Sequence, residues 1–164
     1  MRYSEMQSPV GPLLLAADDA SLRQIIFING RDRARPSPNW VRDSSAFAEA
    51  TRQLRAYFAG ELEQFDLPLA PEGTTFQLQV WRQLCEIPYG ETISYGELAH
   101  RIGNPKASRA VGLANGANPI PIIIPCHRVI GSNGKLTGYG GGLDLKEKLL
   151  NWERAIRYGD ALPL

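Results

Sequence analysis

The alternation of apolar and polar positions divides the chain into a strand-rich first part and a helix-rich second part. "PLLLAA" and "LRQIIFI" are apolar runs separated by the turn-like "DDAS", which predicts a β-hairpin within the first 28 residues. Apolar residues then recur at helical spacing from Ser44 to Ala59, and Gly60 ends that helix. "EQFDLPLAPEGT" predicts an edge strand and a proline-containing linker, which divides the chain into domains 1–72 and 73–164.

The second part of the chain has a helical pattern. Its first apolar stripe predicts that Cys85 is a small buried residue in or beside the stripe. "SYGE" matches a capping box, so a helix should run from Ser94 to about Ile102. In "GNPKASRAVGLANG", Asn104 is expected to cap a further helix, with Pro105 at its first position. These two helices predict a helix-turn-helix, although a generic pair of packed helices has a similar sequence.

Composition and charge narrow the class of protein. The chain is 43% hydrophobic and 21% charged, which is typical of folded domains and excludes a disordered tail. Residues 1–72 carry 8 basic and 10 acidic residues, whereas residues 73–164 carry 10 and 7. The basic second part fits ordinary surface charge or a small footprint on phosphates. With no signal peptide and no membrane-length apolar stretch, we expect a soluble cytoplasmic protein without membrane contact.

Cys126 and His127 are adjacent in "PIPIIIPCHR", after an apolar, proline-rich run. That run predicts a buried extended segment that holds Cys126 in place. Burial by itself makes a thiol inert, so a reactive Cys126 needs a base such as His127, reached through a local turn or a bridging water. The imidazole needs an orienting partner, and Asp144 and Glu147 are the acidic candidates downstream.

The second helix of the predicted helix-turn-helix has a slim surface with one long side chain, Arg109. Either the helix packs closely against its neighbours and the arginine is solvated, or the helix enters a nucleic-acid groove and directs one cation inward. The small residues around Arg109 are Ala107, Ser108, Ala110, Gly112, Ala114 and Gly116.

The chain has two cysteines, Cys85 and Cys126, and two histidines, His100 and His127. No pair has the spacing of a zinc site, so we expect free thiols, no metal and no other cofactor. The glycine-rich "GSNGKLTGYGGG" contains Tyr139 and is either a flexible surface loop or a loop whose backbone approaches a ligand.

These motifs together resemble the O6-alkylguanine-DNA alkyltransferase family, also called methylated-DNA–protein-cysteine methyltransferases. The resemblance runs through "FQLQVW", "IPYGETISYGELA", "GNPKASRAVGLANGANPIPIIIPCHRVIG", "GKLTGYGGG" and "KEKLL", and "SPVGPLLLAA" and "LRAYFAGEL" resemble the family's smaller domain in style. It implies an α+β fold, with a ribonuclease-H-like α/β domain over 1–72. A mainly helical domain with a winged-helix-like helix-turn-helix would follow over 73–164.

The resemblance implies a DNA repair protein that reverses O6-alkylguanine and O4-alkylthymine. The alkyl group would pass irreversibly, in a single turnover, to Cys126 after the nucleotide is flipped out of duplex DNA. His127 and Glu147 would form a water-mediated relay with Cys126, and Asp144 is set aside. Asn118 would tie the active-site segment to the recognition helix.

The same resemblance assigns residues to the DNA and to the base. Arg109 matches the arginine finger that fills the vacated base stack, and Tyr95 matches the tyrosine that crowds the 3′ phosphate and protonates guanine N3. Minor-groove contacts would come from Ala107, Ser108, Ala110 and Gly112. The base pocket would comprise Cys126, Val129, Tyr139 and Gly140. We expect a monomer in solution that is nucleoid-associated when bound to DNA, and cooperative binding on DNA is left open.

Two departures from the family pattern matter. Some members have a serine where this chain has Gly140, which predicts a pocket open to larger alkyl groups. Some hold zinc in the first domain, whereas this chain has no cysteine or histidine before position 85. Two other functions fit parts of the pattern: a DNA-binding regulator whose cysteine is a sensor, and a cysteine hydrolase.

Overall fold

The structure is a computed structural model that describes residues 1–28, 35–137, 139 and 142–159. The chain divides into two compact units, Met1–Glu72 and Gly73–Leu164. Among the described residues, none of the helices combines the length and the apolar character needed to cross a lipid bilayer.

The first unit contains a mixed sheet. Its strands are β1 (Arg2–Met6), β2 (Leu13–Ala17), β3 (Leu22–Phe27) and β4 (Val41–Arg42), in the order β3-β2-β1-β4. β2 pairs antiparallel with both β1 and β3, while β4 is parallel to β1. Every residue of β2 is buried, as expected of a continuous apolar run in an inner strand. The β2–β3 pair confirms the predicted hairpin.

A helix and a short extended segment complete the first unit. α1 (Ala48–Phe58) follows a 3₁₀ turn at Ser44–Phe47, and Gly60 has a φ of +76°, the left-handed conformation that commonly ends a helix. The predicted edge strand before the linker reduces to one bridge, between Leu22 and Leu69. The reason is that the prolines of this segment have no N–H to donate to a strand.

The described part of the second unit contains four helices and one pair of short strands. The helices are α2 (Thr75–Leu84), α3 (Tyr95–Arg101), α4 (Ser108–Gly116) and α5 (Leu143–Arg157), and the strands are β5 (Ile93–Ser94) and β6 (Val129–Ile130). β5 pairs parallel with β6, which places the start of α3 beside the segment that follows Cys126. Trp81 of α2 donates from Nε1 to the carbonyl of Ala114 at 2.8 Å, so α2 supports α4 from its buried side.

The ends of α2 follow from local chemistry. Thr74 accepts from the Gln77 backbone N–H, and the Gln77 side chain accepts from the Thr74 N–H, which together form a capping box. The predicted burial of Cys85 is wrong, because α2 ends at Leu84 and Cys85 is exposed at its C-cap.

The start of α3 is close to the prediction. Ser94 accepts from the Glu97 N–H at 3.0 Å, but the Glu97 carboxylate pairs with Arg101 at 3.0 Å instead of reaching back to Ser94. One half of the predicted capping box therefore forms.

α4 starts later than predicted. It begins at Ser108, and Ala107, not Asn104, is its N-cap residue. The Ala107 N–H donates to the Asn104 carbonyl at 3.0 Å, so Pro105 occupies the second position of a β-turn. That position favours proline because its φ is already fixed at the required value.

Candidate active site

The proline-rich segment before Cys126 is buried but not extended, so that part of the prediction is wrong. Ile124 N donates to Ile120 O at 3.0 Å, which closes a turn, and Ile122 has a φ of +74°. Asn118 braces the turn at both ends: its Oδ1 accepts from Ile120 N at 3.0 Å and its Nδ2 donates to Ile124 O at 2.8 Å. The prolines of the segment lack the N–H groups of a strand ladder, which favours a braced turn.

Cys126 begins a single 3₁₀ turn, Cys126–Arg128, and is 4% exposed. Burial raises the pKa of the Cys126 thiol to about 11, while Asn118, Lys146 and Tyr139 act in the opposite direction. The thiol is therefore protonated at neutral pH, and a nucleophilic role needs a base.

His127 has a carboxylate partner, and it is Glu153. Nε2 of His127 lies 2.7 Å from Oε2 of Glu153, and both side chains are completely buried. The structure corrects the prediction of Glu147 as this partner, since Glu147 and the alternative Asp144 are both exposed on α5. Position 153 instead shares the buried face of α5 with Leu149, so its side chain can reach the histidine.

The Glu153 contact determines which ring nitrogen of His127 is available. In the neutral ring the carboxylate accepts from Nε2–H, so Nδ1 carries the lone pair. Nδ1 is buried and has no hydrogen-bond partner among the described residues. Burial acts to raise the pKa of Glu153, but His127 and Arg128 hold it well below its ordinary value, so the carboxylate stays ionised. His127 can therefore take up a proton through Nδ1.

A second cluster joins α3 to α5. Lys146 Nζ donates to the carbonyl of Thr137 at 2.9 Å and lies 3.5 Å from the hydroxyl of Tyr95. The Tyr95 hydroxyl also donates to the Thr137 carbonyl at 3.2 Å. Burial lowers the pKa of Lys146 to about 8, although Cys126 acts to raise it. The cluster therefore places a basic group beside the tyrosine and within electrostatic reach of the thiol.

Sequence reasoning missed Lys146 and Glu153. Both lie on the buried face of α5 with Leu149, at positions separated by two helical turns. The same periodicity that predicted an inward Leu149 contained this signal, because it places residues 146 and 153 on the same side of the helix. Two charged residues on a helix face that is otherwise apolar are uncommon and mark a functional site.

The outer side of α4 lines an open cavity of about 1020 Å³. Arg109 is exposed there and, within the described part of the chain, has no ion-pair partner. Leu113, one turn later, is 74% exposed. The residues on this side of α4 that line the cavity, which we call the α4 face, are Ser108, Arg109, Gly112, Leu113 and Gly116. Tyr95 and Tyr139 line the same cavity, so the α4 face and the candidate active site share one opening.

The remaining predicted site residues differ in their exposure. Ala110 is exposed on α4, and Ala107 precedes the helix. Val129 is completely buried in β6. Tyr139 is half-buried, and burial raises its pKa well above its ordinary value. Gly140 lies outside the described residues. In the described ranges, no three histidine, cysteine or acidic side chains are grouped so that they could hold a metal ion.

Known proteins match this chain over nearly its whole length. The ribonuclease-like domain of 6-O-methylguanine DNA methyltransferase matches residues 1–71, and the DNA binding domain of that family matches residues 75–155. These matches confirm the predicted α+β fold.

Relatives of the chain agree with the domain matches. A methylated-DNA–protein-cysteine methyltransferase of Methanosarcina acetivorans is 61% identical over 153 residues, which is 93% of this chain and 98% of that protein. One of Mycolicibacterium paratuberculosis is 55% identical over 94% of this chain and 93% of that protein. A crystal structure of Mycobacterium tuberculosis OGT in complex with DNA is similar with a TM-score of 0.88, at 52% identity, over 95% of this chain and 94% of that one.

Proposed function

We propose that Cys126 receives the alkyl group in this chain. The chain belongs to the 6-O-methylguanine DNA methyltransferase family, and it repairs alkylated DNA as a methylated-DNA–protein-cysteine methyltransferase. The observation that carries the proposal is the buried 2.7 Å contact between Glu153 and His127, the residue that directly follows Cys126 in the chain. This contact orients a neutral imidazole whose second nitrogen can accept a proton.

The reaction is a single displacement. His127 takes up the thiol proton of Cys126 through a bridging water, and the ionised Glu153 stabilises the imidazolium that forms. The thiolate attacks the carbon attached to guanine O6. The C–S bond forms as the C–O bond breaks, and the electron pair passes to the guanine ring. Because the thioether is stable, each molecule acts once.

The guanine leaves as a neutral base if it gains a proton. Tyr95 supplies this proton to N3, since its hydroxyl lies at the opening of the active site. Lys146, 3.5 Å from that hydroxyl, stabilises the phenolate that results. His127 then releases its additional proton to solvent, and the Tyr95 phenolate takes up a proton from solvent.

Access to the guanine requires that its nucleotide leaves the stack, at a cost of a few kcal/mol. We assign α4 to the minor groove of duplex DNA, where its small residues let the backbone approach. Arg109 fills the gap left by the nucleotide. Val129 and Tyr139 contact the extruded base, and O4-alkylthymine is a second substrate of the same pocket. DNA-contacting residues besides Arg109 and Tyr95 are Ala107, Ser108, Ala110 and Gly112.

An alkyl-transfer measurement by intact mass tests the acceptor. The protein is incubated with duplex DNA that contains O6-methylguanine, and peptide mapping then locates the added methyl group. The wild type and Cys85→Ser, the matched control at the exposed cysteine, should each gain one methyl group on Cys126 and then stop. Cys126→Ser should gain none while it binds the same duplex within about tenfold of wild type. Methylation of the Cys126→Ser variant, or repeated turnover by the wild type, would contradict the proposal.

A further inference from the structure

Arg128 is a buried cation that is paired on every side. It is 6% exposed, and its Nε and Nη2 donate to the two oxygens of Glu153 at 2.9 Å each. Its Nη1 donates to the carbonyl of Ile87 at 2.8 Å, and its guanidinium lies 5.6 Å from the centroid of the Tyr89 ring. A buried guanidinium is tolerated only when its charge is paired and its N–H groups have acceptors, and the contacts of Arg128 meet both conditions.

The contacts converge on one carboxylate. Oε1 of Glu153 accepts from Arg128 Nε at 2.9 Å and from the Gly90 N–H at 3.3 Å. Oε2 accepts from Arg128 Nη2 at 2.9 Å and faces His127 Nε2 at 2.7 Å. Because the bidentate hydrogen bonds from the guanidinium fix the plane of the carboxylate, they also fix the direction from which Oε2 contacts the imidazole.

Charge balance gives this geometry a chemical meaning. A completely buried carboxylate needs a cation, and without Arg128 the nearest source of positive charge is a protonated His127. A His127 that is already protonated cannot accept the thiol proton. We propose that Arg128 is a positioning residue that neutralises Glu153, so that His127 rests as the neutral imidazole and is ready to act as the base for Cys126. This inference rests on the proposed function.

Other ionisable groups face the same centre and keep their identity when Arg128 is substituted. Lys146 of α5 and the hydroxyl of Tyr139 act on the Cys126 thiol. Tyr89 presents its ring to Arg128, and the charge of Arg128 also acts on Cys85. Since none of these groups replaces the cation beside Glu153, the effect of Arg128 can be isolated by comparing variants at that position.

The test uses the pH dependence of the reaction with free O6-benzylguanine, which needs no DNA. Arg128→Gln removes the cation, so nearby groups hold their protons more tightly. The acid limb of the rate profile should move to higher pH by about one pH unit. Arg128→Lys keeps the positive charge but loses the pair of hydrogen bonds to the two oxygens of Glu153. It should react several-fold more slowly than wild type, with the acid limb of its rate profile at the same pH. A displaced limb in Arg128→Lys overturns the proposal, even if Arg128→Gln does not fold.

Combination with Glu153→Gln shows whether Arg128 acts through the carboxylate. With Glu153 neutral, the further change Arg128→Gln should move the acid limb much less than it does in the wild-type background. An equal displacement in both backgrounds, or a slower Arg128→Gln with an unmoved limb, would show that Arg128 does not act by neutralising Glu153. The proposed function has its own readout, because in that case the wild type still gains an alkyl group on Cys126. A wild type that gains none refutes the function itself.

Discussion

Arg109 and Arg128 belong to the same unit of the chain, but their surroundings are opposite. Arg109 is exposed on the α4 face and has no ion-pair partner within the described residues. Arg128 is 6% exposed and is bound on both prongs by Glu153. An exposed cation is available to a partner outside the protein, whereas a buried cation must be compensated inside it.

The comparison separates the two tasks of the protein. We call Cys126, His127, Arg128 and Glu153 the Cys126 centre. Under the proposed mechanism, a change in this centre should slow the reaction with duplex DNA and with free O6-benzylguanine alike. If the proposed assignment of α4 is right, a change on the α4 face should slow the duplex reaction and spare the reaction with the free base.

Among variants that keep Cys126, the largest effect on rate is expected from Glu153→Gln. Loss of the anion removes the partner that stabilises the imidazolium of His127, so the second-order rate should fall about a hundredfold on both substrates. Glu147→Gln is the matched control, because it makes the same chemical change at an exposed position of the same helix. Stopped-flow or quench measurements of both variants provide the comparison. A slow Glu147→Gln with a normal Glu153→Gln would return the relay to Glu147.

Arg109→Ala should affect the duplex reaction and the free-base reaction differently. If Arg109 fills the vacated stack, its loss should slow the duplex reaction by about tenfold to a hundredfold and leave the free-base reaction unchanged. The salt dependence of duplex binding should also become shallower by about one counterion. Equal losses on the two substrates would place Arg109 in the support of the pocket instead of in extrusion.

Lys146→Met should slow the reactions with duplex DNA and with the free base by about tenfold each, because the proposed role of the Lys146–Tyr95 cluster is in proton transfer to the guanine. It also has a pH signature in stability. Burial lowers the pKa of Lys146 to about 8 from an ordinary 10.5, so between these values the folded state binds fewer protons than the unfolded chain. The wild type should therefore gain stability relative to Lys146→Met as the pH rises through that window. Urea unfolding at several pH values measures this difference, and a constant difference would mean that the pKa of Lys146 is the same in the folded protein as in the unfolded chain.

Leu113→Ala should give the smallest effect. Leu113 is 74% exposed on the α4 face, where an apolar side chain can pack against the sugars of a minor groove. The duplex rate should fall about threefold, the free-base rate should not change, and the salt slope should match that of wild type because no charge is lost. Val41→Ala, at an exposed apolar position of the first unit, is the control. A similar loss in the control would contradict a specific role for Leu113.

Local sequence determined much of this molecule. The apolar run of β2 and the turn before β3 predicted the hairpin, and Ser94 and Gly60 predicted the ends of helices, because caps and turns depend on neighbouring residues. The motifs of residues 73–152, with the one around Cys126 and His127 among them, together indicated the family. The slim surface of α4 with Arg109 in it was also visible in the sequence, because helical spacing alone places those residues side by side.

Tertiary structure decided what lies far apart in the chain. Glu153, 26 residues beyond His127, became its partner because α5 turns position 153 inward and leaves Glu147 in solvent. The segment before Cys126 became a turn because Asn118 binds both of its ends, a contact that apolar patterning does not contain. Local propensity acts over a few residues, whereas the charge state of a buried group depends on every element packed around it.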